Sequence, residues 1–340
     1  MTIHYFAYSK VAPSLRYRGK HLFKKIQNIS NVKTKFYMPH WKSFFPFLIL
    51  LYKVLLKINK EDVYIVQKIC DPSGYQKLIF WIIKQSTKTI YDIDDAMYII
   101  KDPSIIESFM KQVSHVVVAS ENLFNYAQKF NKNIHIITTP VPDVHNIQFE
   151  RNNTIFTIGW IGMYKVHREN LFKIFFPIIK KISHPLRLSL LGLGTKKDIL
   201  EITTYFADNK NIQIYAPLNI DWENEQKTQW QICSFDVGIM PLLDTEMNRG
   251  KSAFKLKQYL SCGVPTLASN IGDNKHFIIH DYNGYLCETK LAWKKYLEKI
   301  IAMPRINYIN FRKSAHNSYL DSSYTLEHAA KKYLRIIKDL

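Results

Sequence analysis

The chain has 340 residues, enough for two domains of ordinary size, and 47% of them are hydrophobic, which excludes an intrinsically disordered protein. The formal net charge of +19 points to an anionic partner: nucleic acid, a membrane surface or an anionic small substrate. Four cysteines without metal-ligand or redox-motif spacing predict reduced thiols and a cytoplasmic protein, and we expect no secretory leader after the first methionine.

Short apolar runs alternate with helical patterns along the first part of the chain. Strands are predicted over residues 3–8, 32–37, 62–67, 87–91, 115–119 and 134–138. Helices are predicted over residues 18–27, 45–57, 74–84, 102–111 and 121–130. Apolar strands separated by helices are typical of a parallel sheet with helices on both faces.

A second alternating pattern follows a break. Residues 138–153 contain two prolines and no periodicity, which is typical of a linker. Further strands are predicted over residues 155–160, 186–191, 212–215, 237–240, 266–268 and 285–287. Helices are predicted over residues 169–181, 197–207, 223–231, 253–261, 275–280 and 291–302, and an amphipathic one over 324–340. The predicted fold class is therefore α/β, with two doubly wound Rossmann-like domains facing a cleft, and domain bounds of 1–145, 146–320 and 321–340.

The positive charge is concentrated near the start of the chain. Residues 1–60 contain ten lysines, two arginines and no acidic residue; the first carboxylate is Glu61. The apolar stretch 41–60 has an uncharged run of ten residues, too short to span a bilayer, which takes about 20. It is either a core helix or a helix lying in an anionic membrane interface.

The most informative segment is "RGKSAFKLKQYLSCGVPTLAS", residues 249–269. Gly250 allows the backbone to approach a ligand, and Ser252 is the predicted N-cap of the following helix. Lys251 lies at the positive end of that helix, and Lys255 follows one turn later on the same face. A helix N-terminus with added lysines suits a diphosphate; the alternative is a solvated basic face on an ordinary helix.

The run "DVGIMPL…RGKSAFKLKQYLSCGVPTLAS", followed by "IGDN" and "DYNGYLC", resembles the donor-binding half of GT-B glycosyltransferases of family 4. Among these it is most similar to bacterial enzymes that make cell-surface polysaccharides. The resemblance is close over residues 116–284 and looser over the first hundred. It implies a GT-B fold with an acceptor-side first domain, a nucleotide-sugar-binding second domain and a C-terminal helix that crosses back to the first domain near their junction.

The resemblance also assigns donor-site residues. Lys165 and Lys251 match a diphosphate clamp, with Gly162 and Gly250 allowing close approach and Ser252 as a further diphosphate-binding candidate. Trp160 stands at a position where the family usually has arginine. Many members carry two glutamates separated by seven residues around this helix, and the corresponding positions here are Gly250 and Gln258. Gln258 can still bind a ribose hydroxyl, and Gly192 of "LLGLGTKKD" is expected to shape the base pocket.

Candidate residues of the first domain follow its strands. Asp92, Asp94 and Asp95 stand at a strand end, where side chains of a doubly wound sheet face the ligand crevice. Asp94 or Asp95 is expected to orient a hydroxyl or act as a base; the alternative is a helix N-cap. The remaining candidates for the acceptor side and cleft are Arg16, Arg18, Gly19 and Glu121. The resemblance also makes Ser120 and Glu121 candidates for a donor contact.

These observations predict a retaining glycosyltransferase, peripheral at the inner face of the plasma membrane. It would move a sugar from a nucleotide-diphosphate donor to a lipid-linked or glycan acceptor in surface polysaccharide or lipopolysaccharide assembly. No metal or other cofactor is expected. The alternatives are a GT-B nucleotide-sugar epimerase, a catalytically silent paralogue and a basic nucleic-acid binder; the last lacks aromatic stacking platforms and a recognition-helix motif.

Overall fold

The computed structural model describes residues 1–9, 12–38, 59–150 and 154–340. The chain divides into two compact units. We call residues 1–142, 249–252 and 323–340 the N-unit, and residues 143–248 and 253–322 the C-unit. The sequence places the corresponding boundaries after residues 145 and 320, so the two divisions differ by two or three residues at each place. The sequence does not predict the return of residues 249–252 to the N-unit.

Each unit is built on a six-stranded parallel sheet. The strands of the N-unit are β1 (Thr2–Ala7), β2 (Lys33–Tyr37), β3 (Val63–Gln67), β4 (Thr89–Ile93), β5 (His115–Val118) and β6 (Ile134–Ile136), in the order β2-β1-β3-β4-β5-β6. Those of the C-unit are β7 (Phe156–Ile161), β8 (Leu186–Leu191), β9 (Ile212–Tyr215), β10 (Val237–Met240), β11 (Thr266–Ser269) and β12 (Gly284–Cys287), in the order β12-β11-β10-β7-β8-β9. The α/β class predicted from alternating apolar runs is confirmed.

Helices connect the strands, as parallel pairing requires. They are α1 (Leu22–Ile29), α2 (Gly74–Lys84), α3 (Pro103–Gln112), α4 (Glu121–Ala127), α5 (Tyr164–Asn170), α6 (Phe176–Ile179), α7 (Lys196–Tyr205), α8 (Glu225–Cys233), α9 (Glu246–Arg249), α10 (Phe254–Ser261), α11 (Asn274–Phe277), α12 (Lys290–Ile301), α13 (Arg305–Leu320) and α14 (Leu326–Lys338). Two π-helical segments, Leu15–His21 and Leu171–Phe175, lead into α1 and α6, and Met97–Ile99 form a 3₁₀ turn.

The N-unit closes with the last helix of the chain. α14 packs on α1, and the ring of Tyr333 meets that of Phe23 edge-on at 5.2 Å between centroids. Both rings belong to an apolar core that also includes Tyr5 of β1. The predicted return of the C-terminal helix to the first domain is therefore confirmed.

The C-unit core contains two buried tryptophans, Trp160 of β7 and Trp293 of α12. Helix α13 is absent from the sequence prediction, because its apolar residues are interspersed with polar ones that the fold buries. One of these is Arg312, whose Nε donates to the Gly263 carbonyl (2.8 Å) and whose Nη2 donates to the Cys233 carbonyl (3.1 Å). The apolar period alone therefore gives little sign of this helix.

Two helix starts differ from the prediction. The first helical segment begins at Leu15 rather than residue 18, and the helix predicted over 169–181 begins at Tyr164. In both places a π-helical segment shifts the i,i+4 register, which blurs the 3.6-residue period on which the prediction rests. The predicted helix over 45–57 lies outside the described residues. Among the described helices, none combines the length and the apolar character that crossing a bilayer requires.

Candidate active site

Two glycine turns meet at the carboxyl ends of neighbouring strands in the C-unit. Gly162 follows β7 with a φ of 152°, and Gly192 follows β8 with a φ of 119°, values that favour glycine. The N–H of Gly162 donates to the Leu191 carbonyl at 2.9 Å. A Cβ on Gly192 would overlap the carbonyl oxygen of Gly162. Glycine is therefore required at this edge, where ligands of doubly wound sheets bind.

Lys255, from the first turn of α10, lies against the Gly162 turn. A Cβ on Gly162 would stand 2.5 Å from Lys255 Cε, so the missing side chain makes room for this lysine. The Nζ atom of Lys255 is 3.0 Å from Nε2 of His167, a buried residue of α5. The other ring nitrogen, Nδ1, is 3.1 Å from Nδ2 of Asn170. The lysine and histidine therefore form a polar pair beside the two glycine turns.

The hydrogen-bond network around Asn170 sets the protonation of that histidine. The backbone N–H of Leu243 donates to Oδ1 of Asn170 at 2.9 Å, which leaves the amide Nδ2 to donate to His167 Nδ1. In the neutral ring the proton then resides on Nε2, the nitrogen that faces Lys255. Nζ of Lys255 and this N–H group can both donate to an oxygen that lies beside the pair.

The basic segment 249–252 is held by the N-unit. The Ser120 hydroxyl donates to the Gly250 carbonyl (3.1 Å), and the Thr138 hydroxyl donates to the Ser252 carbonyl (3.3 Å). The predicted N-cap at Ser252 is wrong: α10 begins at Phe254, and Ala253 precedes it in the left-handed region with a φ of 50°. Lys251 consequently lies outside the helix, and the expected shared face with Lys255 does not form.

Arg18 has an internal role in the structure. Its Nε and Nη2 donate to the two carboxylate oxygens of Asp92 at 2.7 and 3.1 Å, and both side chains are fully buried. The Ile137 carbonyl and the Tyr333 hydroxyl complete the pair, at 2.6 Å from Arg18 and 3.2 Å from Asp92. Burial lowers the pKa of Arg18, but the adjacent carboxylate outweighs it and raises that pKa overall. The prediction that Arg18 belongs to the acceptor side and cleft is corrected, because the buried guanidinium binds Asp92 instead.

Two carboxylates, Asp94 and Asp95, form what we call the carboxylate cluster beyond the end of β4. Lys68 follows β3 in the left-handed region (φ 53°), and its Nζ pairs with Asp94 at 3.0 Å and with Asp95. Lys101 pairs with Asp71 at 2.7 Å, and Tyr8 donates to the same carboxylate at 3.0 Å. Sequence reasoning selects Asp94 and Asp95 but misses Lys68, whose only signal is its place directly after a buried strand.

The other predicted site residues differ in their exposure and their place in the fold. Lys165 is exposed on α5, Gln258 is buried on α10, and Glu121 is exposed at the start of α4. Arg16 is half-buried and stacks on the Tyr17 ring at 4.7 Å. Gly19 is buried. His167 and Asn170 have no counterpart among the predicted site residues; their spacing of three on one helix face is the only sequence signal for them.

The described part of the chain shows no grouping of three or more His, Cys, Asp or Glu side chains arranged to hold a metal ion.

Known structures share this fold across the whole chain. A glycosyltransferase from Rickettsia africae ESF-5 superimposes with a TM-score of 0.71 at 12% identity, covering 99% of this chain and 98% of that one. The lipopolysaccharide outer core galactosyltransferase WaaB, in its apo form, gives 0.67 at 11% identity, covering 100% and 99%. Anabaena Alr3699/HepE in complex with UDP gives 0.63 at 12% identity, covering both chains completely.

Sequence comparison adds nothing to these structural matches. No protein-family model matches the chain, and no curated protein is significantly similar to it in sequence. The chain has the fold of the GT-B glycosyltransferases, with two six-stranded parallel sheets and flanking helices.

Proposed function

We propose that the protein is a glycosyltransferase that takes a sugar from a nucleotide-diphosphate donor, and that the C-unit binds the donor. The observation that carries the proposal is the pairing of Lys255 with His167 beside the Gly162 and Gly192 turns. Two N–H donors and closely approaching backbones suit the oxygens of a diphosphate. The fold supports this assignment, since the Anabaena structure of the same fold contains UDP.

In the proposed reaction these groups act on the leaving nucleotide. Negative charge develops on the diphosphate as its bond to the sugar breaks, and the Lys255 ammonium stabilises it as a fixed positive charge. His167 would add a hydrogen bond from Nε2, and Asn170 keeps that nitrogen protonated. We propose that such side chains, rather than a metal ion, neutralise the diphosphate. Lys165 and Lys251 remain candidates for the same group, and Gln258 for the ribose.

We propose that the N-unit binds the acceptor, through the carboxylate cluster. Asp94 and Asp95 are partly accessible, and Lys68 holds both, which fixes them to orient an acceptor hydroxyl. The acid-free first sixty residues support an acceptor presented on an anionic membrane, at the cytoplasmic face. Retention of anomeric configuration and a role in surface polysaccharide or lipopolysaccharide assembly are proposed from the family 4 resemblance.

The test compares the nucleotide affinity of the wild-type protein with that of variants in which single lysines are replaced by methionine. UDP and GDP are first compared by thermal shift, and the Kd of the better ligand is then measured by calorimetry. Lys255→Met is expected to weaken binding at least about tenfold, the equivalent of roughly 1.4 kcal/mol, because one charged contact with the diphosphate is lost. Lys210→Met, which removes an exposed lysine of the same unit, is the matched control and should leave Kd unchanged.

Two results would reject the donor site. One is an equal Kd for Lys255→Met and the wild type, and the other is no thermal shift with any nucleoside diphosphate. Transfer of radiolabelled sugar from the matching donor then separates a transferase from a silent paralogue, and a free isomerised donor would indicate an epimerase. The Kd values of Lys165→Met and Lys251→Met, compared with that of Lys255→Met, show how much each of these lysines contributes to nucleotide binding.

A further inference from the structure

Two cysteine side chains meet where two helices of the C-unit end. Cys233 is the last residue of α8, and Cys262 directly follows α10. The Cys262 thiol approaches the carbonyl of Gln229, which lies one helical turn before Cys233, at 3.7 Å, and the two thiols are near enough to perturb each other's pKa. The two side chains therefore lie close together in the reduced protein.

Arg312 of α13 keeps the two helix ends together. Its Nη2 donates to the carbonyl of Cys233 at 3.1 Å, and its Nε donates to the carbonyl of Gly263, the residue after Cys262, at 2.8 Å. Arg312 as a whole is only 3% exposed. One cation thus fixes the backbone on both sides of the thiol pair.

A cavity reaches only one of the two thiols. It has a volume of about 690 Å³, and one wall is the segment 143–150. Opposite lie residues of α8 and its end, together with Arg312: Gln226, Gln229, Trp230, Cys233 and Ser234. Cys262 is fully buried and does not line it. A small solute that enters the cavity therefore meets Cys233 first, with Cys262 behind it.

The pKa values of the two thiols also differ, and the difference again favours reaction at Cys233. The hydrogen bond from Cys262 lowers the pKa of Cys233, and the Arg312 charge lowers it further. Burial raises the pKa of Cys262 well above its ordinary value. Since the thiolate is the reactive form, Cys233 is the nucleophile and Cys262 the second thiol.

We propose that Cys233 and Cys262 form a peroxide-sensitive thiol pair that closes to an intramolecular disulfide. The Cys233 thiolate attacks one oxygen of a hydroperoxide, the O–O bond breaks, and a sulfenic acid and an alcohol, or water from hydrogen peroxide, are formed. The Cys262 sulfur then attacks the sulfenic sulfur. The S–S bond forms, and the departing hydroxide takes the Cys262 proton and leaves as water. Two thiols are oxidised and one peroxide is reduced.

The other two cysteines provide internal controls. Cys70 and Cys287 are buried, and burial raises the pKa of Cys70 to about 11 and that of Cys287 to about 12. Neither lines the cavity. Both should therefore remain thiols while the pair oxidises.

The test uses the full chain and hydrogen peroxide. Reduced protein is treated with peroxide for increasing times, unfolded in N-ethylmaleimide, digested and analysed by mass spectrometry. We expect a peptide linking Cys233 to Cys262, reversible by dithiothreitol, to form at least about tenfold faster than any oxidation of Cys70 or Cys287. Equal rates at all four cysteines, or oxidation of Cys233 to a sulfinic acid without the link, would overturn the proposal.

Variants then identify the order of the steps. In Cys262→Ala the sulfenic acid on Cys233 should persist and react with dimedone, whereas in Cys233→Ala Cys262 should stay unlabelled. Dimedone labelling of Cys262 in the second variant would reverse the assignment of the nucleophile and contradict the proposal. Because the wild-type measurement needs no substitution, the proposal is decided even if a variant fails to fold. The experiment is also independent of the proposed transferase activity, because it measures only the chemical state of the cysteines.

Discussion

The carboxyl edges of the two parallel sheets carry opposite chemistry. In the C-unit the strands β7 and β8 end in glycine turns, beside which Lys255 faces an imidazole. In the N-unit β3 and β4 lead into carboxylates, each bound by a cation or hydroxyl of the same unit. One sheet topology therefore carries a basic edge with glycine turns in one unit and a set of bound carboxylates in the other.

The two edges also differ in the kind of pair that each contains. Arg18 and Asp92 form a fully buried pair of opposite charges, completed by the Ile137 carbonyl. Lys255 has a ring nitrogen of His167 as a neighbour at 3.0 Å, beside the glycine turns. The N-unit pair therefore joins two opposite charges in the core, whereas the C-unit pair joins a lysine to an imidazole.

The largest expected effect is the loss of the buried N-unit pair. Arg18→Leu leaves the Asp92 carboxylate in the core and should lower the free energy of unfolding by about 3–5 kcal/mol. Urea denaturation measures it. The control, Lys101→Met, removes a partly exposed ion pair with Asp71 and should cost about 1 kcal/mol or less.

A double variant sharpens this result. Arg18→Leu combined with Asp92→Leu removes both charges and should regain part of the lost stability, because no buried charge remains. If Arg18→Leu instead matched the exposed control, the pair would not be the internal anchor described above.

The next effect concerns the glycine turns of the C-unit. A Cβ at Gly192 overlaps the Gly162 carbonyl, so Gly192→Ala must displace the turn that we propose approaches the diphosphate. We expect a loss of about 100-fold in nucleotide affinity, the equivalent of roughly 2.7 kcal/mol.

Gly194→Ala is the matched control for that turn. The nearest atom to its added Cβ is Asp198 Oδ2 at 3.7 Å, an ordinary contact, so its nucleotide affinity should remain at the wild-type value. Equal nucleotide affinities for the two variants, measured by calorimetry, would show that the glycine turns take no part in ligand binding.

The smallest effect tests whether the units differ in membrane contact. Lys33 and Lys35 are exposed on β2 of the N-unit, and their joint change to Gln should weaken binding to anionic vesicles by about 2 kcal/mol, at roughly 1 kcal/mol per lysine. Lys196 and Lys197, exposed at the start of α7 in the C-unit, form the matched control pair. Flotation with phosphatidylserine vesicles gives the comparison, and equal losses for both pairs would indicate a diffuse attraction with no membrane-facing unit.

The period of apolar residues was sufficient for most of the fold. Strands such as Leu186–Leu191 and Val237–Met240 have the predicted bounds, because a buried parallel strand is a continuous apolar run between breaks. The helix α13 and the π-helical segments escaped prediction for the opposite reason: polar residues such as Arg312 are buried there, and a shifted register hides the period.

Some residues of the candidate site could also be found from the sequence, whereas the partners of others could not. Gly162 and Gly192 were selected from sequence and stand where a positive φ is needed. Arg18 was selected too, but its partner Asp92 lies 74 positions away along the chain, and only folding brings the two together. Ser252 is not the N-cap because Ala253, in the left-handed region, separates it from Phe254, where α10 begins.

By itself the sequence determined the α/β class and the two alternating halves, since both depend on local periodicity. The return of the last helix and the place of the glycines at strand ends were implied by the family resemblance. Tertiary structure alone decided which charges meet. In the folded chain Arg18 pairs with Asp92, Lys68 with the carboxylate cluster, Lys255 with His167 and Cys233 with Cys262. The physical reason is that a charge or a thiol acquires its chemistry from neighbours that lie far away in the chain, and no local pattern records them.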